Sequence, residues 1–117
     1  MKGRNMKYFM VVSGLTVLLT AGSSAIGRCD DIFLELRFEN HRFIPRTISA
    51  PANQPLRIKV INASKETIEF ESFKLNREKV VGPGETIIVI LPGLSPGSYD
   101  FYDDFHQDVP EGVIIAK

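Results

Sequence analysis

The chain has 117 residues, 14 basic and 14 acidic, with no Trp and a single Cys. That length holds one ordinary domain, and a lone Cys excludes an internal disulfide. Balanced charge with scattered Lys and Arg excludes a nucleic-acid surface, so no nucleic-acid partner is expected.

Lys2, Arg4 and Lys7 open the chain, residues 8–21 are uncharged and mostly apolar, and Gly22-Ser23-Ser24-Ala25 follows. A basic start, a short apolar run and small residues are the order of a secretory signal peptide, here 1–25. The apolar run falls short of the about 20 residues that a membrane-spanning helix needs. Cleavage after Ala25 therefore leaves no stable membrane insertion; an uncleaved anchor is the alternative. The loss of Lys2, Arg4 and Lys7 leaves eleven basic residues against 14 acidic, net −3, in the domain 26–117. Cys29 lies in the polar Arg28-Cys29-Asp30-Asp31 leader and reads as a structurally idle or intermolecular thiol.

The period then becomes two. Ile32, Leu34, Leu36 and Phe38 alternate with Phe33, Glu35, Arg37 and Glu39, the pattern of a half-buried strand. Asn40-His41-Arg42 breaks it, and His41 reads as a surface residue of an early loop. Pro45 demands an extended or edge segment, and Thr47-Ile48-Ser49-Ala50 is a short strand before Pro51. Leu56, Ile58 and Val60 mark a third strand that stops at Asn62. In Thr67 to Phe73, Ile68 and Phe70 take one face and Glu69, Glu71 and Phe73 the other. Leu75 to Val81 is extended and ends in Gly82-Pro83-Gly84, strong turn chemistry. Thr86 to Leu91 is an unbroken apolar run, read as a central sandwich strand. Ser98 to Tyr102 and Val113 to Ala116 complete the set. About eight short strands with turn signals between them predict an all-β, antiparallel Greek-key β-sandwich.

Between the last two strands runs Asp103-Asp104-Phe105-His106, an acidic loop with one imidazole. Together with Tyr99 and Phe101, the Val60-Ile61-Asn62-Ala63 segment, the Pro83-Gly84 turn and Phe43-Ile44-Pro45, it resembles a cupredoxin over nearly all of the domain 26–117. Asn62-Ala63 with Glu69-Phe70-Glu71 and the 103–106 loop narrows the resemblance. It is similar to the cupredoxin-like periplasmic components of bacterial ferrous iron uptake systems.

The blue-copper pattern is Tyr-x-Phe-x-Cys-x-x-His followed by Met and Gly. Tyr99, Phe101 and His106 match it; Asp103 stands in the Cys position, Glu69 near the upstream His, and Pro110 or Glu111 at the Met. A blue site needs a thiolate with two imidazoles, whereas carboxylates and one imidazole suit iron, manganese or Cu(II) and disfavour Cu(I). The resemblance thus implies one mononuclear iron or copper site built from Glu69, Asp103 and His106 with Glu71 as a further ligand. Asp104, Asp108 and Glu111 are candidates for supporting groups. The opposing reading makes Glu69 and Glu71 solvated strand carboxylates and Asp103-Asp104 turn residues.

The resemblance implies a periplasmic accessory protein that receives Fe(II), assists its oxidation or not, and passes iron on. Its implied partners are an inner-membrane iron permease and a periplasmic metal-binding protein. Two alternatives stand beside it: a copper carrier or electron-transfer cupredoxin without the thiolate, and a metal-free protein-interaction domain. No phosphate loop and no nucleophile elbow supports another chemistry.

Overall fold

Alternation along the chain sorts side chains between a core and two solvent faces. In the computed structural model, which describes residues 31–117, it produces nine strands. They are β1 (Ile32–Phe38), β2 (Phe43–Ile44), β3 (Thr47–Ala50), β4 (Leu56–Asn62), β5 (Ile68–Ser72), β6 (Arg77–Val81), β7 (Thr86–Leu91), β8 (Gly97–Asp103) and β9 (Gly112–Ala116). The expected signal peptide 1–25 and Cys29 lie outside the described residues. No helix among the described residues is long and apolar enough to cross a membrane.

The strands make two sheets, β2-β1-β4-β7 and β3-β9-β8-β5-β6. Both are mixed rather than antiparallel throughout: β1 runs parallel to β4, from Ile32 beside Leu56 to Phe38 beside Asn62, and β3 runs parallel to β9. The Phe43–Ile48 segment is divided at Pro45, with β2 in one sheet and β3 in the other. The apolar run of β7 is not central. It forms a sheet edge with Ile88 and Ile90 exposed. Arg77 covers part of that edge by donating from Nε and Nη2 to the Ile90 carbonyl, at 3.3 and 3.0 Å. Such side-chain cover is one way a protein blunts an edge against pairing.

Leu36, Phe38, Ile58, Val60 and Val89 of the first sheet face Ile68, Phe70, Phe101 and Ile114 of the second, all fully buried. At one end the core becomes aromatic. Phe38 meets Phe43 edge-on at 5.3 Å, Phe43 meets Phe101 at 5.2 Å, and Phe101 stacks on Phe70 at 5.5 Å. Each buried Phe contributes about 1.5–3 kcal/mol of transfer free energy, so this ladder is a firm floor. Gly112 leaves room for it: a Cβ there would lie 2.2 Å from Phe101 Cζ and 2.9 Å from the Arg46 carbonyl oxygen. Above the floor lie three loops, between β1 and β2, β4 and β5, and β8 and β9.

Candidate metal centre

Asn62, the last residue of β4, sets the first of these loops. Its side chain is fully buried. Nδ2 donates to the carbonyls of Glu66, Val81 and Gly82 at 2.7, 3.0 and 3.0 Å, and Oδ1 accepts from Ser64 N and Ser64 Oγ at 3.0 and 2.7 Å. The loop is thereby tied to the end of β6, and Glu66 is held over the aromatic floor.

Asp103, the last residue of β8, sets the second. It pairs with Phe70 across the sheet, so its side chain points to the core side with Phe101, and it is 1% exposed. Its Oδ1 accepts the backbone N–H groups of Glu69 and Phe105, both at 3.0 Å. Its Oδ2 takes the Nδ1–H of His106 at 2.7 Å. A carboxylate cannot donate, so the proton of this bond lies on Nδ1. The other ring nitrogen, Nε2, faces Glu66 Oε1 at 3.0 Å.

His41 supplies the third side. Asn40 and His41 both take positive φ, 54° and 59°, a region in which Asn and His are several-fold enriched among non-Gly residues. The tight turn points the imidazole back over the site. Its Nε2 bonds Asp108 Oδ2 at 2.8 Å, and its Nδ1 lies 3.3 Å from Glu66 Oε2. The His41 and His106 rings stand 5.6 Å apart at 75°. Asp108, then Glu66, raise the pKa of His41 by hydrogen bonding, and the same bond lowers that of Asp108.

The result is a continuous array, Asp103–His106–Glu66–His41–Asp108. Each imidazole has one nitrogen held by an aspartate and turns the other toward the shared Glu66. His41, read from sequence as a surface residue apart from the constellation, is a corner of it. Asp108, a candidate for a supporting group, bonds the His41 ring. Glu66 went unread for want of any periodic signal in a loop, although it lies only four residues past the Asn62 anchor.

The four residues expected to hold one ion do not converge. Period two puts Glu69 and Glu71 on the outer face of the second sheet, while Asp103, paired with Phe70, faces inward. Asp104 takes the place beside them: one ligand oxygen each from Glu69, Glu71 and Asp104 lie within 4.8 Å of one another. Glu69 is 9% exposed. Its pKa is pushed up to about 7, first by burial, then by Glu78, Asp104 and Glu71. Glu111 enters neither group through its side chain; its carbonyl accepts from Arg46 Nε at 3.1 Å.

Residues 9–116 match the profile of the cupredoxin-like domain. The chain belongs to the cupredoxin-like domain family. A relative in Rickettsia prowazekii (strain Madrid E), uncharacterized protein RP394, is 39% identical over 97 residues, 81% of this chain and 78% of that protein. The fold is similar to the metal-binding domain of the Streptococcus pneumoniae D39 Cu(I)-exporting P-type ATPase CopA, solved with Cu(I). That likeness has a TM-score of 0.65 at 13% identity and covers 78% of this chain and 99% of that one. It is also similar to auracyanin A, a blue copper protein of Chloroflexus aurantiacus, with a TM-score of 0.62 at 12% identity over 75% of this chain and all of that one. At such identities the likeness establishes the fold of this cupredoxin-like chain. The chemistry of its loop end rests on its own side chains, among which no thiolate stands at 103.

Proposed function

We propose that this cupredoxin-like domain binds a divalent transition-metal ion at its loop end, between His41, Glu66 and His106, and hands it on. The observation that carries the proposal is the pair of aspartate-held imidazoles turned toward one carboxylate. Ligating histidines regularly give their second nitrogen to a carboxylate, which fixes ring orientation and raises basicity. Asp103 does this for His106, and Asp108 for His41. In this reading Asp103 orients a ligand rather than serving as one.

The donor set fits such an ion. Two imidazoles and a carboxylate are a set used for non-haem Fe(II), and imidazole also suits Zn(II) and Cu(II); among the described residues there is no thiolate or thioether donor for Cu(I). The ring centroids stand 5.6 Å apart, and the donors of His41, Glu66 and His106 do not all lie within 4.8 Å of one another, so binding would draw the two loops together around the ion. Binding requires the ligating ring nitrogens to be free of protons, so affinity should depend on pH. Exposure of about two-fifths at His41 and a quarter at His106 leaves the ion reachable by a partner.

The finer reading is a periplasmic carrier of ferrous iron, the ion received as cargo and passed toward an inner-membrane permease. It rests on the resemblance of the 62–71 and 103–106 segments and on the missing thiolate. Copper is the second reading, favoured by the copper proteins that share the fold and by the two imidazoles, which suit Cu(II). Anaerobic calorimetric titration with Fe(II), Mn(II), Zn(II) and Cu(II) tests both. One ion per chain is expected, with His41→Ala and His106→Ala each weakening it at least tenfold. Binding that ignores both changes, or no binding, overturns the proposal. Tighter Cu(II) than Fe(II) alone decides nothing between the cargoes, because the Irving–Williams order predicts it for most sites. Iron transfer to a partner that copper does not undergo would decide.

A further inference from the structure

We infer that the end of the sandwich opposite the metal centre docks on the surface of an anionic lipid membrane. That end is formed by the start of β1, the β5–β6 hairpin and the turn after β7. The three most exposed large apolar side chains among the described residues all lie there: Phe73 at 88%, Phe33 at 58% and Ile90 at 57%. The register joins them to cations. Phe33 of β1 stands beside Arg57 of β4, and Arg57 stands opposite Ile90 of β7, in one row across the outer face of the first sheet. Arg77, the first residue of β6, extends the row by bonding the Ile90 carbonyl. Phe73 and Lys74 lie at the tip of the same hairpin, where Lys74 Nζ donates to the Ser98 carbonyl at 3.3 Å.

Exposed apolar side chains scattered singly are ordinary on a folded protein. Two further observations select a membrane as the occupant of this end. The first is charge. Arg57, Arg77 and Lys74 are interleaved with Phe33, Ile90 and Phe73, and Asp31 pairs with Arg57 at 3.0 Å. Glu66, Asp104, Asp108 and Glu111 lie in the loops of the other end. An anionic leaflet attracts the first end and repels the second. Arg and Lys lay their stems along apolar surface while their heads stay at the phosphates, and buried apolar area adds to the attraction. The second is the path of the chain. The residues before Asp31, with their uncharged run 8–21, are joined to the domain at the start of β1, within this end. A leader that meets a membrane therefore delivers this end to it. Docked so, the domain turns the His41–Glu66–His106 array away from the lipid, open to a partner in solution. The orientation holds whatever ion that array binds.

The chain has no Trp, so one introduced indole reports its own depth. Full-length protein carrying Phe73→Trp is mixed with vesicles of phosphatidylcholine and phosphatidylglycerol that contain brominated lipid. Phe105→Trp, at the other exposed Phe of the loop end, is the second arm. A blue shift and quenching are expected for Phe73→Trp and neither for Phe105→Trp. Adding Arg57→Gln and Lys74→Gln to the Phe73→Trp protein should cut the quenching roughly threefold or more, and raised salt should do the same. Circular dichroism confirms that each variant is folded. Quenching of Phe73→Trp no greater than that of Phe105→Trp means that the leader alone holds the chain at the surface, and overturns the inference. Equal quenching in vesicles of phosphatidylcholine alone overturns it too. A blue shift of Phe73→Trp that grows with protein concentration in the absence of vesicles assigns the patch to a second copy of the chain, and likewise overturns it.

Discussion

Asn62→Ala should cost about 3 kcal/mol of stability and disable the loop end at the same time. The Asn62 side chain makes five hydrogen bonds within 3.0 Å, three as donor and two as acceptor. Nδ2 has only two hydrogens for three carbonyls, so four bonds is the fairer count. At about 1 kcal/mol net per bond the loss would be roughly 4 kcal/mol. Ser64 and Glu66 stand at the surface side, where water replaces part of it, and this lowers the figure to about 3 kcal/mol. The buried Val81 carbonyl has no such relief. Urea unfolding reads the change: with a slope of about 1–3 kcal/mol/M, the midpoint should fall by roughly 1–3 M without a change of slope. Glu66 loses its fixed backbone, so ion affinity at the array should fall in the same variant. A loss below about 1 kcal/mol would refute the idea that one buried amide organises this loop. So would a full loss of stability with ion affinity untouched.

Asp103 separates scaffold from charge. Asp103→Ala leaves the Glu69 and Phe105 amides without an acceptor and should cost about 3 kcal/mol in the same assay. Asp103→Asn keeps Oδ1 as acceptor, so stability should hold to within about 1 kcal/mol while ion affinity falls about 10–100-fold, the usual cost of losing a carboxylate behind a ligating His. Glu69 predicts a pH profile. Its carboxyl lies above the ordinary 4.5, at about 7, through burial and the facing Glu78, Asp104 and Glu71. The folded state therefore holds a proton that the unfolded state has lost between these values, and stability falls as pH rises through that window. In chelator, Glu69→Gln should flatten this decline and melt higher than the parent above pH 7. Parallel profiles for the two proteins would contradict it.

Much of the frame was legible because alternation reports burial directly. Leu36, Phe38, Ile58, Val60 and Phe70 fall inside as their spacing requires. Alternation does not report strand direction, and so the parallel β1–β4 and β3–β9 pairs were missed. Nor does an apolar run report position in a sheet, and β7 proved to be an edge. The same limit governs the site. Glu69 and Glu71 on one face followed from period two. Which of Asp103 and Asp104 joins them depends on the β5–β8 register, and Phe70 opposite Asp103 decides for Asp104. Loops carry no period at all. His41 reaches Asp108 across 67 positions and Glu66 across 25. The one local hint was Asn40-His41 itself, two residue types that tolerate positive φ.

The Asp at position 103 has a structural consequence that explains why His41 belongs to the site. Both of its oxygens are committed: one to two backbone amides, the other to His106 Nδ1 at 2.7 Å. To ligate an ion directly, Asp103 would have to give up bonds in a position that is 1% exposed, where the orphaned amides could not find water. His106 is left with Nε2, which points away from the core toward Glu66. An ion must then be gathered on the outer side of that ring, and the next imidazole there is His41, 5.6 Å away. In the proposed site the ion therefore lies on the outer side of the His106 ring, away from Asp103. Asp103→Asn with His41 intact should weaken this outer site without abolishing it, whereas His41→Ala with Asp103 intact should abolish it. The reverse ranking would return Asp103 to the role of ligand.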